Sequence, residues 1–255
     1  MTVLVTMAGL GSRFKEKGYL LPKFRVMARG RTLMDWSLSS LQAFFGQRFI
    51  FACLEGEEED WIHSAVTDLG ISEFVIAKRS IVSRGQAETA FDALMYAAPS
   101  DSLWIYNIDT CVVPYAMRPQ HLGTAAGCVP VFHCNDPNMS FVRYGQGDDV
   151  IEIAEKQPIS HWATIGLYGF RSARCFSESY QEAYDRGRIQ TVQGERYVAP
   201  IYKLTLLQGE RVVAPRLGIE AVRILGTPAQ VLDFDPAAHP PFGNSVPTLP
   251  ANRER

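Results

Sequence analysis

The sequence predicts an α/β fold: a mainly parallel sheet flanked by helices and built as a single domain. Three observations lead there. From residue 2 to Asp109, short apolar runs alternate with amphipathic runs in the order β-loop-α-β-α-β-α-β, the signature of strands joined by right-handed helical crossovers. A glycine-punctuated loop follows the first run, where sheets of this kind open their ligand crevices. The composition, 47% hydrophobic and 20% charged over 255 residues, supplies a large core that needs no disulfide or metal staple.

Residues 2–8, rich in Val and Thr, are expected as a buried strand. Gly9, Gly11 and Gly18 then punctuate a loop that runs to Pro22 and Lys23. Thr32 and Asp35 stand at capping-box spacing before a helix with Leu33, Trp36, Leu41 and Phe44 on one face. Residues 48–54 read as the second strand. Residues 57–69 follow as a helix with acids in its first turn, an apolar stripe of Trp61, Ile62, Ala65, Val66 and Leu69, and Gly70 as its stop. A short strand at 74–77, a helix at 86–98 and a strand at 103–108 ending at Asp109 complete the alternating half.

From residue 121 the pattern changes. Strands are expected at 125–132 and 163–170, and the runs 141–144 and 150–154 flank Gly145-Gln146-Gly147-Asp148-Asp149, a hairpin signal. Ser172 caps an expected helix that ends near Gly187, with Tyr180 and Tyr184 on its core face. Residues 197–207 read as helical and 212–215 and 221–225 as strands. Thr227-Pro228 reads as a helix start, a cap followed by proline at the first helical position. Pro236, Pro240, Pro241, Pro247 and Pro250 exclude a helix or central strand from 236–255, an expected extended tail. Without repeat or low-complexity linker, one domain is expected over 1–235.

A net charge of −2 excludes a globally basic nucleic-acid binder. No apolar run approaches the roughly 18 residues of a membrane span. The first residues lack a basic segment and a cleavage pattern, and are expected as a strand rather than a leader. Cys53, Cys111, Cys128, Cys134 and Cys175 are scattered without a C-x-x-C and read as reduced thiols of a cytoplasmic protein. The histidines show no metal-ligand spacing, and Ser12 lacks the G-x-S-x-G nucleophile elbow.

The segment Met7-Ala8-Gly9-Leu10-Gly11-Ser12-Arg13-Phe14 carries the chemistry. Glycines let backbone N–H groups approach phosphate oxygens, and Arg13 and Lys23 add two fixed positive charges suited to a triphosphate. The Walker pattern is absent, and the dinucleotide fingerprint fails at its third glycine, where Phe14 stands. Two glycines alone are equally a structural turn. With Arg13 and then Pro22-Lys23, however, the pattern G-x-G-[ST]-R-[FL] followed by P-K resembles the nucleotidyltransferase family, which makes nucleotide-activated sugars and related phospho-compounds on a Rossmann-like scaffold, the nucleotide-diphospho-sugar transferase fold.

The resemblance extends over residues 2–234 and implies a role for each motif. Ala8, Gly9, Gly11 and Ser12 would bind the nucleotide with Arg13, and Lys23 would neutralise the α-phosphate under attack, so that Arg13 and Lys23 are the expected catalytic residues. Gly85 and Gln86 fall where the family contacts the base, and Asp109, in Asn107-Ile108-Asp109, where it carries its Mg2+ ligand. Glu155 and Lys156, then Gly166 and Tyr168, resemble the acceptor-phosphate and acceptor-pocket elements. Gly226-Thr227-Pro228 resembles the element before the last core helix.

The resemblance thus implies a nucleotide-binding half over 1–120, an acceptor-binding half over 121–235, and transfer from a nucleoside triphosphate, CTP preferred, to a sugar 1-phosphate or other phosphorylated small molecule. Pyrophosphate would leave, the product would serve activated-precursor or surface-polysaccharide biosynthesis, and no nucleic acid or membrane would be a partner. Plainer readings stand beside these: Asp109 begins a turn, Lys156 lies on an exposed sheet edge, and Gln86 simply starts a helix. Phe24 stands where many relatives have proline, Ile108 where glycine is frequent, and residues 222–225 bring no acid where some relatives place a second metal aspartate. A glycosyltransferase of the same fold would show D-x-D, which Asn107-Ile108-Asp109 lacks; the altered metal site keeps a non-catalytic nucleotide sensor as the other alternative.

Overall fold

In the computed structural model, which describes residues 1–56 and 58–240, the alternating half folds in the expected order. Along it come β1 (Thr2–Thr6), α1 (Ser12–Glu16), the small hairpin β2 (Met27–Ala28) and β3 (Arg31–Thr32), α2 (Leu33–Ser39), β4 (Arg48–Leu54), α3 (Glu59–Asp68), β5 (Phe74–Arg79), α4 (Gln86–Asp92), β6 (Leu103–Asn107) and β7 (Thr110–Val112). The remainder carries β8 (Gly127–Cys128), β9 (Val131–His133), β10 (Ser140–Tyr144), β11 (Val150–Glu155), β12 (Trp162–Thr164), β13 (Leu167–Phe170), α5 (Ala173–Tyr180), α6 (Tyr202–Leu207), β14 (Val212–Val213), β15 (Arg216–Leu217), β16 (Val222–Ile224) and α7 (Pro228–Phe234).

The main sheet has the order β14-β8-β13-β6-β1-β4-β5. Strands β6, β1, β4 and β5 pair in parallel, while β13 runs antiparallel to both β6 and β8. The chain builds outward from β1 to β4 and β5, then returns to place β6 on its other side. That reversal is a topological switch point, and the loops after β1 and β6 open there at the carboxyl ends of neighbouring strands. Helices cover both faces, so β1 is apolar throughout its middle, with Val3, Leu4 and Val5 wholly buried. Phe44, Phe51 and Trp104 lead the core on one face; Ile50, Ile105, Phe176 and Tyr202 lead it on the other.

The expected single strands 125–132 and 163–170 are each two. Pro130 ends the pairing of β8, and Gly166, at φ +79°, turns the chain between β12 and β13. These breaks pass the chain between the main sheet and a second sheet, β11-β10-β12-β9-β15, which stands over the crevice side of the acceptor half. Strand β7 and helix α1, the latter inside the expected loop, are further additions; β7 pairs with β16, the strand expected at 221–225. The expected helix 86–98 is α-helical only to Asp92 and continues as a 3-10 turn over Ala93–Tyr96. The helix after Ser172 ends in a π-turn, Gln181–Asp185, and Tyr180 and Tyr184 are buried as expected.

The capping signals form as read. Thr32 accepts from Asp35 N at 3.0 Å while Asp35 accepts from Thr32 N at 3.1 Å, and the Ser172 and Thr227 hydroxyls cap α5 and α7. Ala238 is buried, and its carbonyl accepts from the Tyr19 hydroxyl at 2.7 Å. The rest of the proline-rich tail, 241–255, lies outside the described residues. Among the described residues no helix is long and apolar enough to cross a membrane.

Candidate active site

After β1 the chain turns through the glycine loop into α1. Gly11 takes φ +62° as the N-terminal flank of that helix, with no side-chain cap. Among the described residues, the N–H groups of residues 8–13 donate to no backbone oxygen, while Phe14 and Lys15 N–H close on Gly11 O. A run of unpaired donors at a strand–helix junction is a ready cradle for an anion. Ala8 is buried beneath it; Gly9, Ser12 and Arg13 face solvent, and Arg13 forms no ion pair among the described residues. Arg25, by contrast, is spent on Glu58 at 2.8 Å and lies over the Trp61 ring.

Lys23 crosses to the loop after β6, where its Nζ lies 3.0 Å from Asp109 Oδ2. Burial alone would raise the Asp109 carboxyl; the Lys23 ammonium and a hydrogen bond from Asn107 outweigh it and hold the group below the usual carboxylate range. An ionised carboxylate only accepts, so Asn107 turns its amide N–H toward Asp109 and its carbonyl toward Gln86. Gln86 Nε2 donates to that carbonyl and lies 3.3 Å from Thr6 Oγ1. Gly166 meets the other side of Asn107: a Cβ there would collide with the Asn107 amide, and Asn107 N donates to Gly166 O at 3.1 Å. The ends of β1 and β6, the start of α4 and the entry to β13 thus converge on one polar cluster.

The late Gly226-Thr227-Pro228 element closes on the same carboxylate. Leu225 N donates to Asp109 O at 2.7 Å, and a Cβ on Gly226 would stand 3.4 Å from both Asp109 Oδ2 and Gln230 Oε1. Ile224 packs its apolar side chain against the core, Asp233 is exposed, and Asp235 accepts from Arg29 N, so none supplies a second carboxylate. Among the described residues no group of three or more His, Cys, Asp or Glu forms a metal cage. The residues still fit Mg2+, which is held through one or two carboxylates plus substrate phosphates. Asp109 is ionised and a third exposed, and the Gln230 oxygen near it is buried without a partner.

On the acceptor side, Glu155 ends β11 almost wholly buried, and its carboxylate accepts from the Ser140 hydroxyl. Burial pushes its pKa up to about 7; the Ser140 hydrogen bond and the Lys156 charge oppose the rise, and Glu195 adds to it. From the ordinary 4.5 to about 7 the folded state therefore holds a proton that the unfolded chain has lost, so stability falls as pH rises through that window. Glu155→Gln removes this linkage. On going from about pH 4 to about pH 8 it is expected to gain up to about 3 kcal/mol relative to the parent, read from urea midpoints; parallel pH profiles would overturn the assignment.

Lys156 follows at φ +53°, with Nζ 2.7 Å from both Gln193 Oε1 and the Tyr197 hydroxyl. Tyr168, expected at the acceptor, is buried and its hydroxyl is 3.1 Å from Thr164 Oγ1, so the side chain is committed to the core. Gly85 is committed to a backbone crossing: Arg196 N donates to Arg84 O at 2.6 Å and Ala87 N to Arg196 O at 2.9 Å. The structure thus joins Lys23, Asp109, Gln86 and Gly166 directly. It brings Lys156 in through the 192–197 segment, whose Gln193 carried no sequence signal.

No protein-family model matches the chain, and no curated protein matches it in sequence. Solved structures do. A nucleoside-diphosphate-sugar pyrophosphorylase from Vibrio cholerae RC9 is 30% identical, with a TM-score of 0.83 over 92% of this chain and 99% of that one. The inositol-1-phosphate CTP transferase from T. maritima, 17% identical, gives 0.70 over 90% of each chain. A Bacillus anthracis protein described as a glucose-1-phosphate thymidylyltransferase, also 17% identical, gives 0.69 over 96% of this chain and 98% of that one. The last two bear on fold alone. With the Vibrio relative aligned over nearly its whole length, and the glycine loop, Lys23 and Asp109 set around one switch-point crevice, the chain belongs to the nucleotidyltransferases of the nucleotide-diphospho-sugar transferase fold.

Proposed function

We propose that the enzyme transfers a nucleotidyl group from a nucleoside triphosphate to a phosphorylated small molecule, with a sugar 1-phosphate as the leading acceptor class. The observation that carries this reading is the Lys23–Asp109 pair beside a loop of unpaired N–H groups. The Vibrio relative's description as a nucleoside-diphosphate-sugar pyrophosphorylase supports the acceptor class. CTP is the donor to test first, a preference carried by the family resemblance of a compact single-domain chain and not by the structural neighbours. The role assigned is activated-precursor or surface-polysaccharide synthesis, and the scattered free cysteines support a cytoplasmic setting.

An oxygen of the acceptor phosphate attacks the α-phosphorus, a new P–O bond forms, and the bond to the departing pyrophosphate breaks in line. Catalysis here is positioning and charge neutralisation rather than acid–base work. Backbone N–H groups from Ala8 to Ser12 bind the triphosphate with Arg13; Lys23 faces the α-phosphate; Lys156 receives the acceptor phosphate. Gln86 meets the nucleoside, and Glu155, bonded to Ser140 and adjacent to Lys156, belongs to the acceptor side. Asp109 would hold Mg2+, which when bound neutralises phosphate charge.

The direct test mixes purified protein with magnesium, each of the common nucleoside triphosphates and a panel of phosphorylated acceptors, and measures pyrophosphate. At least one pair is expected to release it at a rate dependent on both substrates. Transfer of the sugar from a nucleotide sugar with release of the nucleoside diphosphate, and no pyrophosphate from any pair, would overturn the reading. Thermal shift ranks the donors beforehand, because a ligand at 100 times its Kd adds roughly 2.7 kcal/mol.

A further inference from the structure

Lys156 is held in an unusual way. It is half-buried yet forms no ion pair among the described residues, whereas Lys23 is paired with Asp109 and Lys78 with Glu59, and the other unpaired lysines, Lys15, Lys17 and Lys203, are exposed. Its ammonium donates instead to two uncharged oxygens, Gln193 Oε1 and the Tyr197 hydroxyl, and lies 4.8 Å from the centre of the Tyr197 ring. An ammonium has three donors. Two neutral contacts therefore fix its direction while leaving one N–H, and the full charge, for an anion. Neighbouring Glu155 makes no ion pair with it, and burial pushes the Glu155 carboxyl up to about 7, so that it is only partly ionised at neutral pH.

The backbone is distorted at both ends of this contact. Lys156 and Gln193, at φ +53° and +54°, are two of the few non-glycine residues in the left-handed region. Local bonds hold them there. Lys156 N donates to Met139 O, and Val192 and Glu195 exchange both backbone hydrogen bonds around Gln193-Gly194. Tyr197 is fixed in turn, its carbonyl taking the Tyr184 hydroxyl at 2.5 Å. Just before it, the Arg196 guanidinium is bound by the Tyr180 hydroxyl at 2.5 Å and Asp185 at 3.0 Å.

The same segment rests on the nucleotide half, because Arg196 crosses Gly85 at the start of α4. The 192–197 segment thus connects Lys156 to the start of α4. Burial and Glu195 raise the Tyr197 phenol, and the charge of Arg13 in the glycine loop acts on it in the opposite sense.

We propose that Tyr197 and Gln193 are positioning residues that aim Lys156 at the acceptor phosphate, and that the docking of their segment on Gly85 sets the spacing between acceptor and nucleotide. The proposal rests on Lys156 being the acceptor-phosphate cation, and its test separates the two claims. The probe is methyl phosphate, the smallest phosphomonoester, titrated into 15N-lysine protein and observed at the lysine ammonium groups, with Lys156→Arg assigning the signal.

Tyr197→Phe and Gln193→Gly are each expected to hasten solvent exchange of the Lys156 ammonium and weaken methyl phosphate binding about tenfold, the loss of one hydrogen bond to a charged group. Gln193→Gly is expected to keep or raise Tm, because glycine accepts the left-handed backbone; a merely structural residue would lose stability without loss of affinity. An unchanged ammonium signal and unchanged affinity in both variants overturn the positioning role. A parent Lys156 signal that methyl phosphate does not move overturns the acceptor assignment instead, and the exchange rates in the variants still decide the positioning role.

Discussion

Replacing Asp109 by Asn, or Lys23 by Ala, is expected to lower kcat by about a thousandfold, the scale at which a preorganised charge acts on a transition state. The two lie at the ends of adjacent loops, 3.0 Å apart, and each determines the other's state. The ionised Asp109 carboxylate orders Asn107, and through it Gln86. Asparagine at 109 would present an N–H to the Asn107 amide and break that polarity, as well as removing the charge suited to Mg2+. Lys23→Ala would remove the cation facing the α-phosphate and let burial lift the Asp109 pKa. Because these contacts strengthen as the bond to pyrophosphate breaks, kcat and kcat/KM are expected to fall together, with donor KM moving little. Stability is expected to fall by no more than about 1 kcal/mol, since both groups are partly exposed. Pyrophosphate release and Tm measured on the same preparations check both halves; near-parental rates in either variant would overturn its place in the catalytic machinery.

How far the sequence shows this site depends on how each residue is held. Arg13 and Lys23 were visible because glycines, a proline and fixed charges recur at short spacing within one loop. Asp109 was visible because a buried apolar strand ends on it. Their meeting across the crevice follows from parallel pairing of β1 with β6, a strand order that the alternating pattern is compatible with but does not specify. Other features left no local mark. The expected strands at 125–132 and 163–170 look continuous because both sides of each break are apolar; only Pro130 and Gly166 reveal the change of sheet. Tyr197, 41 residues from Lys156, lies in Glu195-Arg196-Tyr197, which resembles an acceptor-side segment of the family, but Gln193 reaches Lys156 from 37 residues away through a turn whose left-handed residues are Gln193 itself and Gly194. Neither periodicity nor composition reports such a contact. The lack of an acid at 222–225 is legible in the sequence as a departure from the family, whereas the unpaired oxygen of Gln230 near Asp109 becomes apparent only in three dimensions.

Gly85→Ala is expected to destabilise the fold by about 3 kcal/mol or more and to lower Tm by roughly 6–12 °C, on the scale for a chain of this size. Two costs combine. Gly85 sits at φ +127°, ψ 177°, a region that side chains avoid. A Cβ there would also lie 2.6 Å from Arg196 O and 2.8 Å from Arg196 N. Both obstacles are backbone atoms, so no rotamer change relieves them, and the segment must lift off α4 with loss of the bonds Arg196 N to Arg84 O and Ala87 N to Arg196 O. Lifting it would also withdraw Tyr197 from Lys156, so the acceptor KM is expected to rise in whatever fraction stays folded. Gly9→Ala is the contrasting case: a Cβ there meets nothing within 4 Å and the backbone is not left-handed. Tm should then hold, while the triphosphate, which needs the loop's N–H groups close, binds more weakly. Scanning calorimetry with donor and acceptor titrations separates the two glycines. A Gly85→Ala protein that melts with the parent would show that the crossing does not couple the halves, and a Gly9→Ala protein that loses stability rather than donor affinity would make the glycine loop a turn instead of a cradle.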